Sequence, residues 1–153
     1  MRAIDGRGEA IGHHGELVQG VFEDEDARLR RGLVSLPCRH LNSKARFRAN
    51  AEGRVSVTPR HCEKSLRAVE LTLNRFAGVR TGGHLTIESN IPVGRGMGSS
   101  TADVPASILA VLDSLDVQPT PHEVMKIAVS AETACDSTWF SQQAVLFAQG
   151  DRD

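Results

Sequence analysis

Three glycines at alternate positions, Gly94, Gly96 and Gly98, run directly into Ser99, Ser100 and Thr101. No other stretch of the chain is better equipped for chemistry. Glycine takes φ > 0 readily and lets another group approach the main chain. A strand-like segment, Leu85 to Ser89, leads into the stretch, and a helical pattern beginning near Thr101 leads out. A helix N-terminus presents unpaired N–H groups and a partial positive charge. Glycine turn and helix start together form a pocket for an anion, most often a phosphate. The three hydroxyls can cap the helix, touch phosphate oxygens or hold Mg²⁺. The stretch is not GxxxxGK[ST], because no lysine follows the last glycine, and its spacing does not fit GxGxxG.

The bulk composition narrows what such a pocket serves. At 153 residues the chain has the length of one domain and can bury a core. Its 18 basic and 19 acidic residues nearly cancel, so no overall charge draws it to nucleic acid or to a membrane surface. Five Phe, one Trp and no Tyr leave too few rings for a stacking platform on single strands. The start, Met1 to Arg7, is too polar for a signal peptide, and the apolar run Ala106 to Leu112 is far short of a membrane span. A cytoplasmic protein is expected. Cys38, Cys62 and Cys135 form no C-x-x-C pair, and adjacent residues such as His13 and His14 point to opposite faces of a strand. No structural zinc site is expected.

The elements that must position the loop follow from periodicity. Residues 1–8 are expected as a loose leader. Glu9 to His13 is expected as a short strand, and the acidic run Glu23 to Asp26, followed by Arg28, Arg30 and Arg31, as a solvated loop or hairpin tip. Leu33 to Pro37 reads as a strand stopped by proline. Lys44 to Ala49 and Arg54 to Thr58 both alternate polar with apolar, suggesting an antiparallel hairpin across the Glu52-Gly53 turn. From about His61 the period lengthens, and Leu66, Val69, Leu73 and Phe76 share one helical face. Gly78 and the pair Gly82-Gly83 should end that helix before the strand at 84–89. Ile108, Leu109, Val111, Leu112 and Leu115 predict a broadly apolar helix after the loop. Thr120 before Pro121 is a helix start, and Val124, Ile127, Ala128 and Ala131 line the helix that follows. Asp136 to Thr138 should turn, and Ala144 to Phe147 should form a last buried strand. Strands first and helices later make this an α+β chain.

From Pro92 through Ala102 the string resembles the phosphate-binding motif of the GHMP kinases, in which a proline precedes a Gly-Leu-Gly-Ser-Ser-Ala-type loop. The Ser-Ser-Thr-Ala-Asp ending is most similar to the L-threonine kinase branch, linked to cobalamin synthesis and propanediol utilisation. Residues 14–20, His-Gly-Glu-Leu-Val-Gln-Gly, look like that branch's Cys-Gly-Glu-Leu-(Ile/Val)-Gln-Gly motif. The strand Leu33 to Cys38 and the segment Glu132 to Phe140 look like later parts of it, so the likeness runs from about residue 9 to 150.

The resemblance implies the GHMP N-terminal fold over residues 9–153, strand-rich in its first half with helices packed on one face of the sheet. It implies an ATP-dependent kinase acting on a hydroxyl of a small amino acid or amino alcohol, L-threonine favoured, with ATP and Mg²⁺ as cofactors. Pro92, Gly94, Arg95, Gly96, Met97, Gly98, Ser99, Ser100 and Thr101 would hold the nucleotide. Ser100 and Glu132 would hold the metal. Asp136 corresponds to the carboxylate near the acceptor hydroxyl, as base or orienting acceptor. Glu16 and Asp103 are candidates for holding an amino-acid ammonium.

Departures from the pattern open a second reading. Family members are longer, with a third glycine-rich motif in a C-terminal domain. Thr133-Ala134-Cys135 stands between Glu132 and Asp136 where the branch has Pro-Thr. His13-His14 stands where the branch has Ser-Cys. A helix starting at Ser99 would enclose Pro105, whereas one starting at Asp103 would hold Pro105 in its first turn. The alternative is a truncated, inactive nucleotide-binding homologue or half of a split enzyme, with a homodimer or partner chain covering the surface left open. A third reading is a binding domain in which the loop is only a structural turn.

Overall fold

The computed structural model describes residues 5–77, 81–132 and 147–148. The elements in chain order are β1 (Asp5–Glu23), β2 (Leu29–Asn50), β3 (Val55–Thr58), α1 (Glu63–Phe76), β4 (Gly82–Ser89), α2 (Ser99–Ser114), α3 (Pro121–Ala131) and β5 (Phe147–Ala148). They form one mixed sheet in the order β1-β2-β4-β3, with β5 added antiparallel to β2 at Gly32 and Leu33; α1 and α2 pack on it, and α3 packs on those two helices. The expected α+β architecture holds. Among the described residues no helix is long and apolar enough to cross a membrane.

Several local expectations change. Residues 5–8, expected in the leader, are the first four of β1. The acidic run does form the tip of the β1–β2 hairpin, where the Asp24 carboxylate accepts from the Asp26 and Arg28 amides. Pro37 does not stop a strand: β2 runs through it, opposite His13. That is possible because the far edge of β2 at this point has no strand partner among the described residues, and an edge position needs no donor. Ile11 pairs with Asn42 but Gly12 pairs with Cys38, so residues 39–41 are left over as a bulge.

The expected β2–β3 hairpin is not formed. β3 pairs in parallel with β4, and β4 lies between β3 and β2. A parallel neighbour needs a crossover, and α1 supplies it. Gly82 and Gly83, expected as the end of the helix, instead open β4. A Cβ at Gly83 would lie 2.6 Å from the Arg48 carbonyl oxygen and collide with the fully buried Phe47 ring.

α2 is the centre of the molecule. One side, with Ala106, Ala110 and Val111, faces the sheet core of Ala45, Phe47, Leu85 and Ile87. The other, with Val104, Ile108 and Leu112, packs against Ala68 of α1 and Val124, Ile127 and Ala128 of α3. Each large apolar side chain so buried contributes about 1.5–3 kcal/mol, which explains a helix that is apolar almost all round. On the sheet side Ala106, Ala110 and Ser114 recur every four residues beneath Gly8 and Gly6 of β1. A Cβ at Gly8 would sit 2.6 Å from the Ala110 nitrogen and nearer still to the Ala106 carbonyl. One at Gly6 would sit 2.8 Å from Ser114 Cβ and nearer to main-chain atoms. Strand and helix therefore meet backbone to backbone, which fixes where the N-terminus of α2 lies.

Candidate active site at the start of helix α2

Gly94, Gly96 and Gly98 have φ of +71°, +68° and +74°, the left-handed region that side chains disfavour. Gly98 is the N-cap of α2, and Ala102 makes the first helical bond, its N–H reaching the Gly98 carbonyl at 2.8 Å. The helix thus starts at Ser99 with Pro105 inside it, and the start at Asp103 is excluded. The first N–H groups therefore stay at the loop, free of partners within the helix. The N-cap residue is itself a glycine, so it offers no side chain to cap them.

The loop is fastened at both ends. At its entrance Asn90 accepts from the Asn42 amide at 2.7 Å and donates to the His40 carbonyl at 2.9 Å, gripping the bulge in β2. At its exit the His13 amide donates to the Met97 carbonyl at 3.2 Å, and the buried His13 ring lies against Gly98. Between these ties Pro92, Val93, Gly94, Arg95 and Gly96 are exposed. His13 thus takes a structural place beneath the loop.

Behind the loop lies a polar cluster drawn from four elements. Ser100 donates its hydroxyl proton to Oε1 of Glu132, in a short hydrogen bond. Glu132 follows α3 directly as its C-cap, its amide donating to the Ala128 carbonyl at 2.8 Å, and the helix opens on Thr120. There Thr120 and Glu123 form a capping box, with the Glu123 amide donating to Thr120 Oγ1 at 3.3 Å and the Thr120 amide to Glu123 Oε2 at 3.0 Å. Lys64 of α1 reaches the same Glu132 oxygen at 2.5 Å. Glu132 is buried, and its other oxygen, Oε2, has no hydrogen-bond partner among the described residues.

Asp103, one turn beyond Ser100, is the second carboxylate of the cluster, and its Oδ1 is likewise buried without a partner in bonding geometry among the described residues. Burial pushes its carboxyl above the ordinary range; the Ser43 hydroxyl opposes this, the Glu132 charge adds to it and His61 opposes it. Burial, and then the Asp103 charge, also raise the Cys62 thiol. A carboxyl raised in this way binds more protons folded than unfolded, between its ordinary value and its raised one. Its contribution to stability therefore falls as pH climbs through that window and stays low above it. Asp103→Asn should raise the urea midpoint more at about pH 7 than at about pH 4, because the stability cost of the raised carboxyl grows as pH climbs. An equal gain at both would reject charge burial as the cause.

The structure thus brings Ser100 and Glu132, the two expected metal ligands, into contact and sets Asp103 beside them. Glu16 is not part of this cluster; it is exposed on β1, opposite Ser35. Asp136 lies outside the described residues. Lys64 was not singled out by the sequence pattern, which gives it only as a charge on the polar face of α1. Its i+5 relation to Val69 places it on that face but says nothing of α3. A hydroxyl, a carboxylate and an unsatisfied carboxylate oxygen suit a hard, oxygen-seeking cation such as Mg²⁺.

The profile of the GHMP kinases N terminal domain matches residues 63–147, from the start of α1 through the loop and α2 to β5. The chain belongs to this family. Among curated relatives of this GHMP kinase domain, a 4-diphosphocytidyl-2-C-methyl-D-erythritol kinase of Parvibaculum lavamentivorans is 30% identical over 87 residues, 57% of this chain and 30% of that protein. A mevalonate kinase of Pyrococcus abyssi is 43% identical over 65 residues, 42% of this chain and 19% of that protein. Among solved structures, mevalonate kinase of Staphylococcus aureus superposes with a TM-score of 0.61 at 20% identity, over 96% of this chain and 54% of that one. Homoserine kinase of Cytophaga hutchinsonii gives 0.58 at 15% identity, over 86% and 42%. At these identities the likeness of structures establishes the GHMP fold. The chain spans less than a third of these curated relatives and about half of these solved chains.

Proposed function

We propose that the chain is the nucleotide-binding part of an ATP-dependent kinase that phosphorylates a hydroxyl of a small amino acid or amino alcohol, with L-threonine the favoured acceptor. The observation that carries this reading is the Ser100–Glu132 junction at the N-terminus of α2, directly behind three glycines of positive φ. Main-chain N–H groups from Gly94 to Thr101 would surround the β- and γ-phosphates, and exposed Arg95 stands where it can add a cation. Ser100 and Glu132 would hold Mg²⁺, which supplies neutralisation of the charge on the transferring phosphoryl group. Asp136 would orient the acceptor hydroxyl and take its proton. Asp103 is the candidate for the acceptor's ammonium. The choice of threonine rests on the resemblance of residues 14–20 and 99–103 to the threonine kinase branch.

The competing reading is an inactive nucleotide-binding homologue or half of a split enzyme. Thermal unfolding with and without Mg²⁺-ATP separates the possibilities. Ligand at 100 times its Kd stabilises the native state by about 2.7 kcal/mol, roughly 5–10 °C at this size. The shift should persist in Asp136→Asn and shrink in Ser100→Ala. ADP release with L-threonine, abolished by Asp136→Asn, would establish the kinase. A shift without turnover favours the inactive homologue, and no shift in a folded protein rejects nucleotide binding.

A further inference from the structure

Lys64 is the one cation placed on the Ser100–Glu132 junction among the described residues. Its ammonium sits 2.5 Å from Oε1 of Glu132, the oxygen that also accepts from Ser100. The two sides of this pair differ sharply: the Glu132 side chain is 7% exposed and that of Lys64 56%. The carboxylate is fixed inside the protein, while the lysine enters from solvent along a flexible four-carbon stem.

We propose that Lys64 is a tethered counter-ion, which occupies the cation position at Glu132 in the ligand-free protein and is displaced when a divalent cation binds. The inference rests on the assignment of Ser100 and Glu132 as the cation site. Three observations support it. The ammonium and a hard divalent cation seek the same oxygen, and two cations on one carboxylate oxygen repel each other strongly in a buried setting. Lys64 can leave without moving α1, because more than half of its side chain already lies in water. Once it has left, the carboxylate keeps its place through the Ser100 hydroxyl and brings Oε2, which has no partner among the described residues, to the incoming ion. While Lys64 is in place, the protein avoids an uncompensated buried carboxylate next to Asp103, so the cluster can fold before any metal arrives.

The test is a titration with Mn²⁺ alone, following free Mn²⁺ by electron paramagnetic resonance, for the wild type, Lys64→Met, Lys64→Arg and Glu132→Gln. Lys64→Met should bind Mn²⁺ about tenfold more tightly than the wild type, in the range that groups bonded to metal ligands are worth. Its melting temperature should be lower without Mn²⁺ and rise further on adding it. Lys64→Arg keeps the charge and grips a carboxylate with two donors, so it should bind no more tightly than the wild type. It also keeps the test open if Lys64→Met fails to fold. Glu132→Gln should abolish binding. Equal or weaker binding by Lys64→Met, or tighter binding by Lys64→Arg, overturns the role of Lys64. If Glu132→Gln still loses binding in that case, the cation site itself stands. Unchanged binding in Glu132→Gln overturns the cation site and the lysine's role together, and no Mn²⁺ binding by either the wild type or Lys64→Met does the same.

Discussion

Gly8→Val is expected to destabilise the folded chain by about 3 kcal/mol, the upper end for overpacking, and to lower its melting temperature by roughly 6–12 °C. Most overpacked side chains find relief by rotating a neighbour. Here the neighbours are the Ala106 carbonyl and the Ala110 nitrogen, main-chain atoms that move only if α2 moves. α2 in turn is held from behind by Ala68, Val124 and Ala128, all fully buried. Gly20→Val, on the same strand, supplies the control. A Cβ there meets only the Phe22 ring at 4.0 Å, and the change should be nearly neutral. Urea unfolding of the two variants beside the wild type decides the matter. Similar losses in both would mean that valine harms β1 generally and that the contact with α2 is unimportant.

Gly98→Ala should produce the second large effect, on stability and binding together. At φ +74° an alanine is strained by about 1–2 kcal/mol. Its Cβ would also lie 2.6 Å from His13 Nε2 and closer to Cδ2. The imidazole cannot simply swing aside, since its Nδ1 accepts from the Gly15 amide at 3.1 Å and the residue is buried. We expect a loss of about 2–3 kcal/mol in total and no melting shift with Mg²⁺-ATP, because the N-cap that aims the loop amides is displaced. A double-mutant cycle with His13→Ala separates the two causes. Removing the ring should recover the collision but not the backbone strain, so the pair should couple favourably. Strict additivity would show that the ring plays no part.

The sequence reveals the local half of this design. Alternating glycines before a run of hydroxyls mark the loop, and Thr120 before Pro121 marks the start of α3, because capping and turn geometry depend on a few neighbouring residues. The tip of the hairpin was legible for the same reason. What escaped was pairing at a distance. The alternation in Arg54 to Thr58 identifies a half-buried strand but is silent on its neighbour, so β3 was matched to the nearest strand and not to β4 across a crossover. Pro37 reads as a strand end because the sequence does not show that the edge beside it lacks a strand partner among the described residues. Gly6 and Gly8 looked like parts of a leader, and only the small residues at 106, 110 and 114 give them their meaning. Lys64 escaped similarly, since its partner, Glu132, lies 68 positions away. The helical period of α1 was right, although burial centres on Ala68, Val69 and Thr72, between the sheet core and the helix core.

The backbone-to-backbone seam between β1 and α2 also governs motion. A helix resting on side chains can slide by small steps, since each rotamer change absorbs part of the displacement. α2 has no such cushion at Ala106 and Ala110, so any slide meets main-chain atoms at once. The N–H groups at its start are therefore fixed relative to the sheet before any ligand arrives. For an anion taken up at this helix start, as proposed above, the conformational entropy lost would be confined to the exposed loop from Pro92 to Gly96, the donors at the helix end being fixed beforehand.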